Sequence, residues 1–213
     1  MSTETLQGAL RMLYLLDKAG TLVAPGGTAQ PADAVAVIDS EMKLQALHFW
    51  MRNPDYLAHE ILDGVEQGIL DEESADMAEQ LLEDDEPSLR RYPMLRYRFG
   101  AYEPIDDSFA ILAAPGLAKR VRHGKPGNVK RSAFYLLKPG RELAEKIADE
   151  YPDLQWYPDR AELIARVSGK RTGTELKEAQ YRLAEYAQTA LGDHIQPIDG
   201  IVQDKLEELR SRT

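Results

Sequence analysis

The chain has 213 residues, 43% hydrophobic and 29% charged, with a formal net charge of −10 and no cysteine. These totals describe a globular protein of one or two domains and exclude disulfides, thiolate metal sites and a cysteine nucleophile. No apolar run approaches the roughly 20 residues that span a bilayer. The Leu-rich start, Leu6 to Leu16, is interrupted by Arg11 and preceded by Glu4, unlike a signal peptide, so a cytoplasmic protein is expected.

Residues 4–18 place Leu6, Leu10, Leu13 and Leu16 at helical spacing, with Met12 and Tyr14 widening the face, and Gly20 ends this first predicted helix. A Gly/Pro/Ala-rich loop follows. The recurrence of Val35, Ile38, Met42, Leu44, Leu47 and Phe49 predicts a second helix from Ala32 to Met51, broken before Pro54. Asn53 offers a cap for a third, Asp55 to Glu66, with Tyr56, Leu57, Ile61, Leu62 and Val65 inward. A fourth, Asp71 to Leu82, crowds its acids toward the positive end of the helix dipole.

Charge is then sorted into blocks. Asp71 to Glu86 carries nine acids and no base. Arg90 to Arg141 carries twelve Lys or Arg against three acids (Glu103, Asp106 and Asp107), a formal +9 in a chain whose remainder sums to −19. Blocks of this kind concern partners and fields rather than fold. Two partners suit the basic window equally: nucleic acid, or an acidic surface of this chain or another protein.

Within the window the elements are readable. Asp106 and Asp107 cap a short helix through Ala113, ended by Pro115-Gly116. Leu117, Lys119 and Val121 then alternate with Ala118, Arg120 and Arg122, which suits a strand. His123 to Asn128 is a turn-rich tip, and a second strand runs from Val129 to Leu137. Lys138-Pro139-Gly140 reads as a turn into a helix from Arg141 to Glu150, with Leu143 and Ile147 on one face.

Gly116-Leu117, the hairpin, and the phrase Tyr135-Leu136-Leu137-Lys138-Pro139-Gly140-Arg141-Glu142-Leu143-Ala144 resemble the second half of a winged helix-turn-helix unit. Arg98-Phe99-Gly100-Ala101-Tyr102-Glu103-Pro104 is similar to a phrase of some bacterial winged-helix proteins, with Ala101 in place of Pro. The resemblance covers residues 90–150 and implies binding to double-stranded DNA, as in transcriptional regulators. The helix before such a wing ordinarily supplies polar and basic side chains to base edges. Here residues 105–114 hold two acids, one Ser and no base. The bases lie elsewhere: Arg90, Arg91, Lys119, Arg120, Arg122, Lys125, Lys130 and Arg131 are the expected phosphate contacts, giving salt-dependent affinity without sequence information.

Toward the C-terminus, Asp159 to Val167, Thr174 to Leu191 and Asp199 to Arg210 are predicted helices with apolar stripes. The resemblance implies a homodimer through them; the residues alone equally suit helices that complete a core. His48 and His59 lack a third ligand, and Ser168 to Gly173 fails as a phosphate loop because Ile164 and Arg171 stand where Gly and Ser or Thr are required. No enzyme, metal or cofactor is expected, since no set of residues supplies nucleophile, base and stabiliser.

The expected fold is mainly α with a small antiparallel β-hairpin. An N-terminal helical part (1–89) precedes a winged-helix unit (90–150) and a C-terminal helical extension (151–213). The expected function is a non-enzymatic, DNA-associated winged-helix protein. The alternative is an interaction subunit of a DNA-processing or defence assembly whose winged unit docks a protein.

Overall fold

The computed structural model describes residues 2–24, 30–83, 94–97, 100–125 and 128–212. They form two compact units, residues 1–48 with 103–174 and residues 49–102 with 175–213, which cut across the three segments read from the sequence. Among the described residues there are ten α-helices and two small antiparallel sheets, so the fold is mainly α with little β. No described helix is long and apolar enough to cross a membrane.

The first unit is built around α1 (Thr3–Lys18). Ser2 caps it, its hydroxyl accepting the Thr5 N–H at 3.2 Å. Met12, Leu13, Tyr14, Leu15 and Leu16 are all fully buried, whereas Leu6, the first residue of the expected stripe, is exposed. A one-sided stripe does not describe this helix, because α5 (Asp106–Ala113), α6 (Lys138–Glu150) and α7 (Trp156–Ser168) all pack on it. The Tyr14 hydroxyl donates to the Ala144 carbonyl at 3.0 Å, tying α1 to α6.

The helix expected over Ala32–Met51 divides in two. Ala34–Ile38 is a strand, β2, and α2 (Glu41–Arg52) starts only after Asp39-Ser40. The stretch Ala-Val-Ala-Val-Ile alternates as a half-buried strand does, with Ala36 and Ile38 buried. Sheet pairing therefore overrides the helical spacing of Val35, Ile38 and Met42. Ser40 marks the true helix start, its hydroxyl accepting the Lys43 N–H at 3.2 Å. With β1 (Thr21–Leu22), β5 (Ala118–Lys125) and β6 (Asn128–Leu137), β2 completes an antiparallel sheet in the order β1-β2-β6-β5. The expected hairpin is thus the outer half of a larger sheet. Phe134 on β6 is fully buried and meets Phe109 of α5 edge-to-face at 5.2 Å. Lys138-Pro139-Gly140, expected as a turn, is the first turn of α6, where proline's fixed φ is preorganised.

The second unit packs α3 (Pro54–Glu66) against α4 (Ser74–Glu83) and α10 (Asp199–Arg212), beside the short ribbon β3 (Leu95–Tyr97) and β4 (Gly100–Tyr102). The single helix expected over Thr174–Leu191 breaks into α8 (Gly173–Tyr181) and α9 (Ala184–Gln188). The break brings Tyr186 into a buried cluster with Phe49, Tyr56 and Tyr181, centroids 5.1 to 6.2 Å away, where its hydroxyl accepts the Ala101 N–H. Asp71 caps α4 through the Ser74 N–H at 2.9 Å. Of the acidic block, Asp76 and Glu79 face Arg210 of α10, at 3.5 and 2.6 Å; residues 84–86 lie outside the described residues. Lys205 and Arg212 of the same helix pair with Asp63 and Glu66 of α3. The apolar faces of the C-terminal helices are covered within their own units: α7 lies on α1, and Val202 and Leu206 of α10 are buried as it packs on α3 and α4.

Asp55, 5% exposed in the first turn of α3, accepts the Ile198 N–H at 2.8 Å. Burial pushes its carboxyl up to about 6; the Ile198 N–H opposes the rise and the neighbouring Asp199 adds to it. Between the unfolded value near 3.8 and about 6 the folded state binds the extra proton, so this contribution is full below that window and lost as pH rises through it. Half-buried His59 has its pKa lowered by desolvation and acts oppositely, favouring the folded state as pH rises.

Two predictions follow from this packing. From pH 5 to 7.5, urea unfolding should show wild type losing roughly 1–1.5 kcal/mol relative to Asp55→Asn, which keeps an acceptor for Ile198 and carries no charge. Parallel pH profiles for the two proteins would refute the assignment. A Cβ on Gly140 would collide with the Leu117 carbonyl oxygen and come within 2.8 Å of Leu136 Cδ1, whereas one on Gly200 meets nothing within 4 Å. Gly140→Ala should destabilise by about 1–3 kcal/mol, while Gly200→Ala, in the first turn of α10, should be neutral or stabilise by up to about 1 kcal/mol. Thermal denaturation of the two variants checks the contrast.

Candidate nucleic-acid interface

The β5–β6 hairpin ends in a ribbon that leaves the sheet. β6 is flanked by β2 and β5 from Phe134 to Leu137, whereas from Asn128 to Ala133 its partner is β5 alone. Burial follows pairing: Ser132 to Leu136 are buried and Asn128 to Arg131 are exposed. A bulge at His123/Gly124 adds one residue to β6 and interrupts the regular ladder. Gly124 has φ 135°, and a Cβ there would lie 2.9 Å from the Lys130 nitrogen, so the ribbon closes only around glycine.

The expected phosphate contacts fall into three groups. Lys119, Arg122, Lys125, Lys130 and Arg131 are exposed on the ribbon. Arg131 has a long contact of 4.0 Å to the exposed Asp39, of little energetic weight. Arg120 is different. Its Nη1 donates to Asp106 at 2.7 Å and its Nη2 to Glu41 at 2.6 Å, while the guanidinium lies 5.1 Å from the centre of the Phe134 ring. It is a tie between the first turns of α2 and α5 as well as a cation on the wing. Arg90 and Arg91 lie outside the described residues, as do Arg98 and Phe99 of the phrase ending at Pro104.

A groove of about 390 Å³ runs between the first turn of α2 and the hairpin. Ser40, Glu41 and Met42 form one wall; Arg120, Arg122 and Val129 to Ser132 form the other. Four bases and one carboxylate line it, beside a helix N-terminus whose partial positive charge favours anions. Sequence reading missed the α2 wall because it placed these residues mid-helix. The signal that locates them is Asp39-Ser40, a capping pair directly ahead of the periodic run from Met42.

α5, the helix before the hairpin, turns Ser108, Phe109 and Leu112 into the unit and leaves Asp106, Asp107, Ala110 and Ala113 exposed. Its outer face therefore offers carboxylates and methyl groups rather than donors. Of the histidines weighed as ligands, His48 is buried with Nδ1 3.4 Å from Glu103, and His59 lies 3.8 Å from Asp63. Among the described residues no three His, Asp or Glu side chains are grouped to hold a metal. Comparisons with protein-family models, with curated proteins and with solved structures find no match to this chain.

Arg120 sets the next prediction. Replacing it by Ala removes two ion pairs and a cation–π contact, which together should lower stability by about 1–2 kcal/mol in urea unfolding. A loss below about 0.3 kcal/mol, the level of an ordinary surface substitution, would show that the guanidinium does not hold the two helices.

Proposed function

We propose that this protein is a non-enzymatic, DNA-associated winged-helix protein that grips duplex phosphates through its wing and the adjoining groove, with little base-specific readout. The observation that carries this reading is the set of exposed bases on the hairpin, four of them (Arg122, Lys125, Lys130 and Arg131) beyond its doubly paired end, next to a groove with one carboxylate among four bases. The element order supports it. A helix, two strands and a helix (α1, β1, β2, α2) are followed, after residues 53–105, by a helix and a hairpin (α5, β5, β6) whose last strand lies against β2. That order suits the winged helix-turn-helix resemblance of residues 90–150. Phosphate contacts fix position on a duplex, and the acid-and-alanine face of α5 argues against a sequence-specific regulator.

A second reading rests on that same face. Asp106, Asp107, Ala110 and Ala113 suit a protein partner better than a major groove, so the winged unit would dock within a larger DNA-processing or defence assembly. A titration of unrelated 20-base-pair duplexes separates the two. Phosphate gripping predicts similar affinities for all sequences and a log–log salt slope of about −3 to −4, at roughly 0.9 per neutralised phosphate. Changing Lys125, Lys130 and Arg131 together to Glu should flatten that slope by about 2–3 and weaken binding at least tenfold at low salt. No duplex affinity at low salt, or binding indifferent to the triple change, refutes the proposal.

A further inference from the structure

Arg120 stands at the inner end of the groove, yet its charge is already answered. Nη1 and Nη2 are each engaged by a carboxylate, from Asp106 and Glu41, and Nε has no hydrogen-bond partner among the described residues. The two acids differ in setting. Asp106 is largely exposed, 78% of its side chain reaching solvent, and Glu41 is about one-third exposed and lines the groove itself. Carboxylate and phosphate oxygens compete for the same guanidinium edges, since both present two anionic oxygens that arginine engages in pairs. The ion pairs are solvent-accessible, so an incoming phosphate exchanges one anion for another rather than breaking a buried bond.

We infer that Glu41 and Asp106 are a built-in carboxylate guard on Arg120, which restrains the groove's affinity for phosphodiester backbones and makes Arg120 a latent phosphate contact. This rests on the phosphate-gripping reading above. It goes further by naming which base is withheld and which acids withhold it. The guard explains why the groove's deepest base is its least available one.

The test is duplex binding by wild type, Glu41→Gln, Glu41→Gln with Asp106→Asn, and the same double variant carrying Arg120→Lys or Arg120→Ala. Each is titrated with a 20-base-pair duplex at four salt concentrations, and each melting curve is recorded. Freed of both acids, the protein should bind about two- to fivefold tighter per carboxylate removed, the range set by exposed ion pairs. Its salt slope should steepen by about 0.9, one added phosphate contact. Arg120→Ala in that background should abolish the added slope, and Arg120→Lys should retain part of it, which keeps the result readable if the Ala variant unfolds. Measurable wild-type binding with no Arg120-dependent gain overturns the guard and leaves the phosphate-gripping reading standing. An affinity gain that survives Arg120→Ala also overturns it, since deleting two negative charges then suffices. Absence of duplex binding in wild type and in the double variant alike overturns both readings. Binding that is weak in wild type, strengthens in the double variant and loses that gain on Arg120→Ala supports the guard.

Discussion

The first unit depends on the point at which β6 changes from two partners to one. From Phe134 onward the strand is hydrogen-bonded on both edges, and the run from Ser132 to Leu136 is buried with the ring of Phe134 against Phe109. Before that point it has β5 alone, and from Asn128 to Arg131 its residues are exposed. Truncating a buried Phe of this kind costs about 3–5 kcal/mol, far more than any single surface ion pair returns. The inner half of the hairpin is therefore fixed by packing, and the outer half carries charge without structural obligation. Of the bases expected to touch phosphate, Lys119 and Arg120 stand at the anchored end, paired with Tyr135 and Phe134. Lys125, Lys130 and Arg131 stand at the outer end.

That division decides what kind of recognition the unit suits. Base-edge reading needs a rigid element with donors aimed outward, and α5 spends its rigidity on Phe109 and Leu112 while presenting Asp106, Asp107 and alanines. Phosphate gripping needs only positive charge at roughly the right spacing, which a ribbon bent by a bulge supplies. Asp76 and Glu79 face Arg210, and Lys205 and Arg212 answer Glu66, so within the second unit acids of α3 and α4 face bases of α10. Of the two partners that suited the basic window, an acid of this chain accounts for Arg120 and marginally for Arg131; the other exposed bases of the hairpin have no ion pair among the described residues.

Local chemistry made part of this legible in the sequence. The hairpin was readable because its tip, His123 to Asn128, is turn chemistry between alternating runs, and α5 because Asp106-Asp107 and Pro115-Gly116 bracket it. β2 was hidden because Val35, Ile38 and Met42 fit a helical period as well as a strand one, and pairing with β6, about a hundred residues on, decided between them. The break between α8 and α9 was hidden for a similar reason: burial of Tyr186 with Phe49 and Tyr56 is a tertiary fact with no local marker. The groove was half legible. Its basic wall is one contiguous stretch, but Glu41 meets Arg120 across 79 residues, and nothing in either neighbourhood announces the other.

The two carboxylates that hold Arg120 share one further property. Glu41 is the first residue of α2 and Asp106 the first of α5, so each sits at the positive end of a helix dipole. A carboxylate there is stabilised by about 0.3–1 kcal/mol whether or not a cation is beside it. Releasing Arg120 therefore does not strand either acid, because each keeps water and its own helix terminus as partners. A guanidinium bound to acids with such an alternative is easier to transfer to a phosphate than one bound to acids buried without it. The same placement that strengthens α2 and α5 thus keeps the contact exchangeable, and the exchange costs the fold little because Phe134 and Phe109 hold the hairpin to α5 independently of Arg120.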